Sequence, residues 1–219
     1  MKKHTILSEL GIFFAVFFLF IAYPLGIQFY YDVKPGFVEW NFPWSQMIHS
    51  LVCILLLLFY YEKKNSRPLA LVLKVFPVIM TFGLLFCVSL FCRAISMMIS
   101  DPDLINGEIN KPDTFIEWIF CIFTFLFAAF NEEVIYRFYF ADKLNQILSI
   151  KIQWRGIGVV CEVLCCVLFA LAHFYLGWIS VANAALAHII LRLCYKKSGM
   201  LWPCIISHLL YNIISMILL

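Results

Sequence analysis

Long apolar runs separated by short polar breaks dominate the chain. Seven such segments stand out, near 8–30, 45–61, 69–92, 114–136, 156–174, 178–195 and 200–219. A helix rises 1.5 Å per residue, so about 20 apolar residues cross the hydrocarbon core of a bilayer. Most of the seven reach that length. The fifth and sixth are shorter, which predicts a tilted helix or one that ends within the protein. The pattern predicts an all-α protein, a polytopic transmembrane helical bundle of about seven spans. The connections 31–44 and 101–113 carry the Pro, Gly and Asn of loops. Residues 138–154 mix charge with apolar side chains, so the fourth helix is expected to continue past the bilayer as an amphipathic extension.

Composition adds to this picture without changing it. Of 219 residues, 64% are hydrophobic and 13% charged, with 23 Phe, and the mean hydropathy is +0.94. A soluble domain of this size needs far more polar surface. The net charge of +3 and the absence of a basic stripe exclude nucleic acid as the expected partner. The opening "MKKHTILSELGIFFAVFFLFIAYPLG" runs long without a small-residue cleavage site, which predicts an uncleaved first span. Nine cysteines sit mostly in apolar runs without a CxxC pair, so they read as buried, reduced thiols.

Basic residues orient the bundle. Lys2 and Lys3 precede the first span, "EKKNSR" (62–67) follows the second, and Arg137, Lys143, Lys151 and Arg155 follow the fourth. Lys196 and Lys197 follow the sixth, whereas 101–113 on the opposite side is poor in Lys and Arg. The positive-inside bias then places the N-terminus in the cytoplasm and the C-terminus outside.

Against this background the ionisable residues need a reason, since each costs about 2.5–3.5 kcal/mol in a span on insertion scales. "NEEVIYRF" ends the fourth run with Glu132, Glu133 and Arg137. Glu133 and Arg137 are spaced i, i+4 with the acid first, the favourable order for a pair on one helix face. Glu132 is rotated about 100° away and can face elsewhere. "FALAH" places Phe169 and His173 one turn apart, and "HLLYN" does the same for His208 and Asn212. His49, His188, Asn183 and Glu162 read as packing residues, although Glu162 lacks an evident partner. Counting rise from the cytoplasmic ends puts His208 roughly 14 Å and Glu132 about 8 Å into the bundle. The levels converge if helices four and five protrude before turning at 148–153.

These groups suit amide hydrolysis. A carboxylate serves as general base for water, with a histidine to hold or deprotonate it. A histidine and an asparagine amide can donate to the oxyanion of a tetrahedral intermediate. One glutamate with two histidines (Glu132, His173, His208) equally makes a zinc set with an open position for water. Other intramembrane protease designs fit badly: there is no H-E-x-x-H, no Asp within a span and no G-x-S-G.

E-E-x-x-x-R, F-x-x-x-H and H-x-x-x-N, in that order on successive apolar helices, resemble the three signature motifs of the CAAX protease and bacteriocin-processing (CPBP) family. The flanking "KKSGMLWPCIISHLLYN" resembles the family's approach to the last motif. The resemblance covers 113–219 as a catalytic helical core, with 1–112 as variable N-terminal transmembrane helices. It implies an intramembrane endopeptidase acting on a membrane-associated peptide or protein, with its site open to the cytoplasm. In the family's scheme Glu132 and His173 activate water, and His208 and Asn212 form the oxyanion hole. Glu133, Arg137 and Phe169 are then supporting residues. A metal-free glutamate mechanism is favoured over zinc. The short chain fits the bacterial branch, located in the plasma membrane and linked to bacteriocin maturation, self-immunity and peptide signalling. Two other classes compete with this reading. One is a non-catalytic bacteriocin-immunity or scaffold protein. The other is a small transporter with a Glu/His proton relay, which the lack of an inverted repeat weakens.

Overall fold

The structure is a computed structural model that describes residues 6–30, 39–60, 71–99 and 109–218. These residues form seven helices and no strand. Helix α1 runs through Ile6–Phe17, a π-helical turn at Phe18–Ala22, and Tyr23–Tyr30. Helix α2 is Trp44–Tyr60 and α3 is Leu71–Met98. Helix α4 is continuous through Phe115–Glu132, a π-helical stretch at Glu133–Phe140, and Ala141–Leu148. Helices α5 (Ile157–Leu171), α6 (Trp178–Ser198) and α7 (Trp202–Leu218) complete the bundle.

Four helical stretches are long and apolar enough to cross a membrane: Leu7–Phe29, Val75–Met98, Phe115–Leu148 and Trp178–Ser198. Three apolar helices are shorter, Trp44–Tyr60, Ile157–Leu171 and Trp202–Leu218. The sixth segment, expected to be short, is therefore among the long ones. Its apolar run stops near Tyr195, but the backbone stays helical through Lys196 and Lys197. It ends at Gly199, where a φ of 67° supplies the left-handed cap that only glycine adopts without strain. The predicted extension of the fourth helix is present and ends at Leu148.

Outward faces stay apolar, as at Leu58 (76% exposed) and Val159 (67%), and such surface suits lipid better than water. Inside, Phe13 and Ile21 of α1, Cys53 of α2, Val134 of α4 and Phe169 of α5 share one core. Helix α3 lies along α6 and α7, while α2 and α7 flank α4 and α5 packs on α6 and the end of α4. The cysteines behave as read: those described are free, and most are buried.

One of the orienting charges changes character. Arg137 is fully buried in the bundle, so it belongs to the core and not to a surface cluster. The clusters at Lys2–Lys3 and 62–67, and most of the loops 31–44 and 101–113, lie outside the described residues.

Candidate active site

Helix α4 supplies the first motif, and its start is set locally. Thr114 forms a capping box: its Oγ1 accepts from the Glu117 N–H at 3.3 Å, and Glu117 Oε2 accepts from the Thr114 N–H at 2.8 Å. Eighteen residues later the α-helix gives way to π-helix at Glu133. The wider π turn is a known marker of functional sites. Asn131, Glu133 and Arg137 are buried here, while Glu132 keeps 29% of its side chain exposed.

The second histidine lies between the two carboxylates. His208 of α7 donates from Nδ1 to Glu133 Oε1 at 2.9 Å, and its Nε2 lies 3.8 Å from Glu132 Oε2. Neighbouring glutamates on one helix thus reach opposite nitrogens of one ring. Glu133 also pairs through Oε2 with Arg137 Nε at 3.3 Å, both side chains fully buried. The expected i, i+4 pair is therefore formed, and Glu133 supports both His208 and Arg137. The cluster is not saturated. Among the described residues, Glu132 Oε2, Glu133 Oε2 and all three Arg137 nitrogens lack an aligned hydrogen-bond partner.

Phe169 joins the second motif to the first. The Arg137 guanidinium carbon sits 4.1 Å from the centre of its ring, a desolvated cation–π contact. His173 lies just past the end of α5, in the turn before a short 3₁₀ segment, Phe174–Leu176. Its ring packs 4.9 Å from that of Phe169. His173 Nδ1 donates to the Phe169 carbonyl at 3.0 Å, and in the neutral ring this leaves Nε2 with the lone pair. No hydrogen bond or ion pair joins His173 to Glu132. Asn212 follows His208 by one turn on α7, partly buried, and no described residue engages its amide. Glu132, Glu133, Arg137, Phe169 and His208 are thus in one contact chain, with His173 reaching it through Phe169.

The zinc alternative meets a different arrangement. Among the described residues, no three His, Cys, Asp or Glu side chains come together as metal ligands. Glu132, His173 and His208 are not drawn together as a ready-made ligand set.

Some residues read as packing hold surprises. Glu162, which lacked a partner in sequence, receives Arg192 Nη2 at 2.7 Å and Lys196 Nζ at 2.6 Å. Arg192 itself escaped notice. It also pairs with Asp142 and donates from Nη1 to the carbonyl of Arg137. A cleft opens beside this second cluster, lined by Asp142, Asn145, Arg155, Glu162 and Lys196. Asn183 donates to the Tyr211 hydroxyl at 2.9 Å, as suits a structural residue. His188 is packed 5.3 Å from the Phe169 ring, but neither nitrogen has a partner among the described residues. It is buried, as expected of a packing residue.

No curated protein and no solved structure matches the chain. A family model does, and the stretch it matches contains every motif residue from Glu132 to Asn212. Residues 114–214 match the Rce1-like family, type II CAAX prenyl endopeptidase, bearing out the resemblance that the three ordered motifs carried.

Proposed function

We propose that this protein is an intramembrane endopeptidase that cleaves a membrane-associated peptide or protein with a water activated by Glu132 and His173. The matched family implies intramembrane endopeptidase activity, and the long apolar helices make this a multi-pass membrane protein. The observation that carries the residue assignment is the contrast between adjacent glutamates. Glu133 is sealed and committed to His208 and Arg137, whereas Glu132 is partly exposed and holds an unpartnered oxygen toward His208.

In this reading Glu132 takes a proton from water while His173 Nε2 accepts the other O–H and aligns the oxygen. The two side chains need no mutual contact, because each touches the water. The hydroxide adds to the scissile carbonyl, and the oxyanion accepts from His208 Nε2–H and Asn212 Nδ2–H. Since Nδ1–H is already given to Glu133, donation from Nε2 requires a doubly protonated ring, and Glu133 balances that charge. Collapse of the intermediate breaks the C–N bond, and the leaving amine takes the proton held by Glu132. Each step uses side chains alone.

The site faces the cytoplasmic side of a bacterial plasma membrane with the N-terminus also inside, on the strength of Lys143, Lys151, Arg155, Lys196 and Lys197. Peptide maturation, self-immunity or signalling are the processes such an enzyme serves. Against a purely structural polar cluster stands the order of the three motifs within the stretch that the family model matches.

The test compares peptide termini in membranes of cells expressing the native protein, Glu132→Ala, His173→Ala or His208→Ala at matched abundance. New termini are expected with the native protein and lost in each variant. Unchanged termini in all three variants would refute the peptidase reading.

A further inference from the structure

The matched region begins at residue 114, so α1, α2 and α3 carry no family motif. Each of them nevertheless makes polar contact with the residue just before a motif side chain, and the contacts share a register. From α1, Gln28 Nε2 donates to the Ala172 carbonyl at 2.6 Å. From α2, the single Ser50 hydroxyl hydrogen has Asn131 Oδ1 at 2.8 Å and the Gln46 carbonyl of its own helix at 2.9 Å as acceptors, while Asn131 Nδ2 donates to the Gln46 carbonyl at 3.0 Å. Toward α3, Ser207 Oγ lies 3.1 Å from the Val78 carbonyl and 2.7 Å from the Pro203 carbonyl of its own helix, so its one hydrogen is shared between the two. Ala172, Asn131 and Ser207 are the residues immediately before His173, Glu132 and His208.

The register has a physical origin. Adjacent residues on a helix point about 100° apart. A helix that offers one residue to a central site therefore offers its predecessor to a helix packed on the adjoining side. Ser50 is buried and Ser207 fully so, where an unmade hydrogen bond costs more than a made one gains. Each contact therefore holds its helix in one rotational setting. At His173 the hold is two-sided, since Phe29 of α1 stacks on Phe174 with ring centres 5.5 Å apart. That turn lies beyond the end of α5, where no helical backbone sets the direction of the ring.

We propose that α1–α3 form a positioning frame, in which Gln28, Ser50 and Ser207 each set the orientation of one reacting side chain: His173, Glu132 and His208 in that order. Its effect on turnover rests on the peptidase reading above, but its effect on geometry does not. Misplacement of a reacting group by about 1 Å can cost about 100-fold in rate, so loss of one contact is expected to slow cleavage by about 10- to 100-fold.

The experiment uses the full chain, ¹⁵N-histidine-labelled, in lipid nanodiscs. Gln28→Met keeps the side-chain volume and removes the donor; it should move the His173 ring-nitrogen signals and leave those of His208. Ser207→Ala should do the reverse, and Ser207→Thr should restore the native signals. In membranes, Gln28→Met, Ser50→Ala and Ser207→Ala should each slow the appearance of Glu132-dependent termini, with Ser50→Thr and Ser207→Thr restoring the rate. Signals that stay fixed, or that move together for both histidines, overturn the frame, as do native cleavage rates at native abundance. If Gln28→Met does not accumulate, the serine variants decide the matter alone. Equal termini from native protein and Glu132→Ala would sink the peptidase reading separately, and the ring-nitrogen signals would still decide the frame.

Discussion

Two charged clusters sit along α4, built from the same kinds of residue and finished in opposite ways. In the first, Glu133 and Arg137 are sealed from solvent, and Arg137 has a carboxylate at 3.3 Å and a phenyl ring below it but no aligned hydrogen bond. In the second, Arg192 engages all three of its nitrogens, with Glu162, Asp142 and the Arg137 carbonyl as acceptors. Its partners reach solvent: the Asp142 side chain is 57% exposed. A planar guanidinium with five donors is best satisfied by such a fork of acceptors. The second cluster thus looks like a joint between α4, α5 and α6. The first is sealed around Glu133 and Arg137 but leaves the neighbouring Glu132 partly exposed beside His208, as a reacting carboxylate must be. Charge content alone does not separate them; burial and the partners each arginine engages do.

That contrast sets an order of effects. The largest is on chemistry. Glu132→Ala should lower cleavage by about 10²- to 10⁴-fold, the usual contribution of a general base. Membrane abundance should stay near native, because the Glu132 side chain is partly exposed and committed to no close partner. Counting new peptide termini against protein abundance measures both. Glu133→Gln should act the other way, on folding. Breaking a buried pair leaves an uncompensated charge and costs about 3–5 kcal/mol, read as a lower melting temperature and poor accumulation. Adding Arg137→Met should recover most of that loss, since removing both charges relieves the orphan.

Arg192→Gln comes next, at about 1.5–3 kcal/mol for charge-assisted hydrogen bonds lost. Lys196 remains on Glu162 at 2.6 Å to soften the change, and thermal melting of the solubilised protein gives the number. The smallest effect belongs to Asp142→Asn, within about 1 kcal/mol because the pair is solvent-screened. If Asp142→Asn destabilised more than Glu133→Gln, or Arg192→Gln slowed cleavage as much as Glu132→Ala, the division into site and joint would fail.

Legibility in the sequence followed sequence distance. The Glu133–Arg137 pair was readable because four residues of helix bring the two ends together whatever surrounds them. The partners of Glu162 were not, because Arg192 lies 30 residues along the chain and Asp142 lies 50 residues from Arg192. The π-helical stretch at Glu133–Phe140 has no periodic signature in an apolar run, yet it begins at one of the two glutamates that flank His208. His173 was placed correctly beside Phe169, but its position just past the helix end was hidden. "FALAHFYL" carries no breaker before Gly177, whose φ of 93° belongs to the following turn.

Seven apolar segments, their order and the three motifs were determined by the sequence itself, because hydrophobic periodicity and i, i+4 spacing are local properties. Which carboxylate is sealed and which is open, that His208 lies between them, and that α1–α3 hold the residues before each motif were decided only by packing. Those relations join residues from 75 to 144 positions apart. They arise from the rotation of each helix about its own axis, a quantity that a row of apolar letters leaves free and that neighbouring helices set.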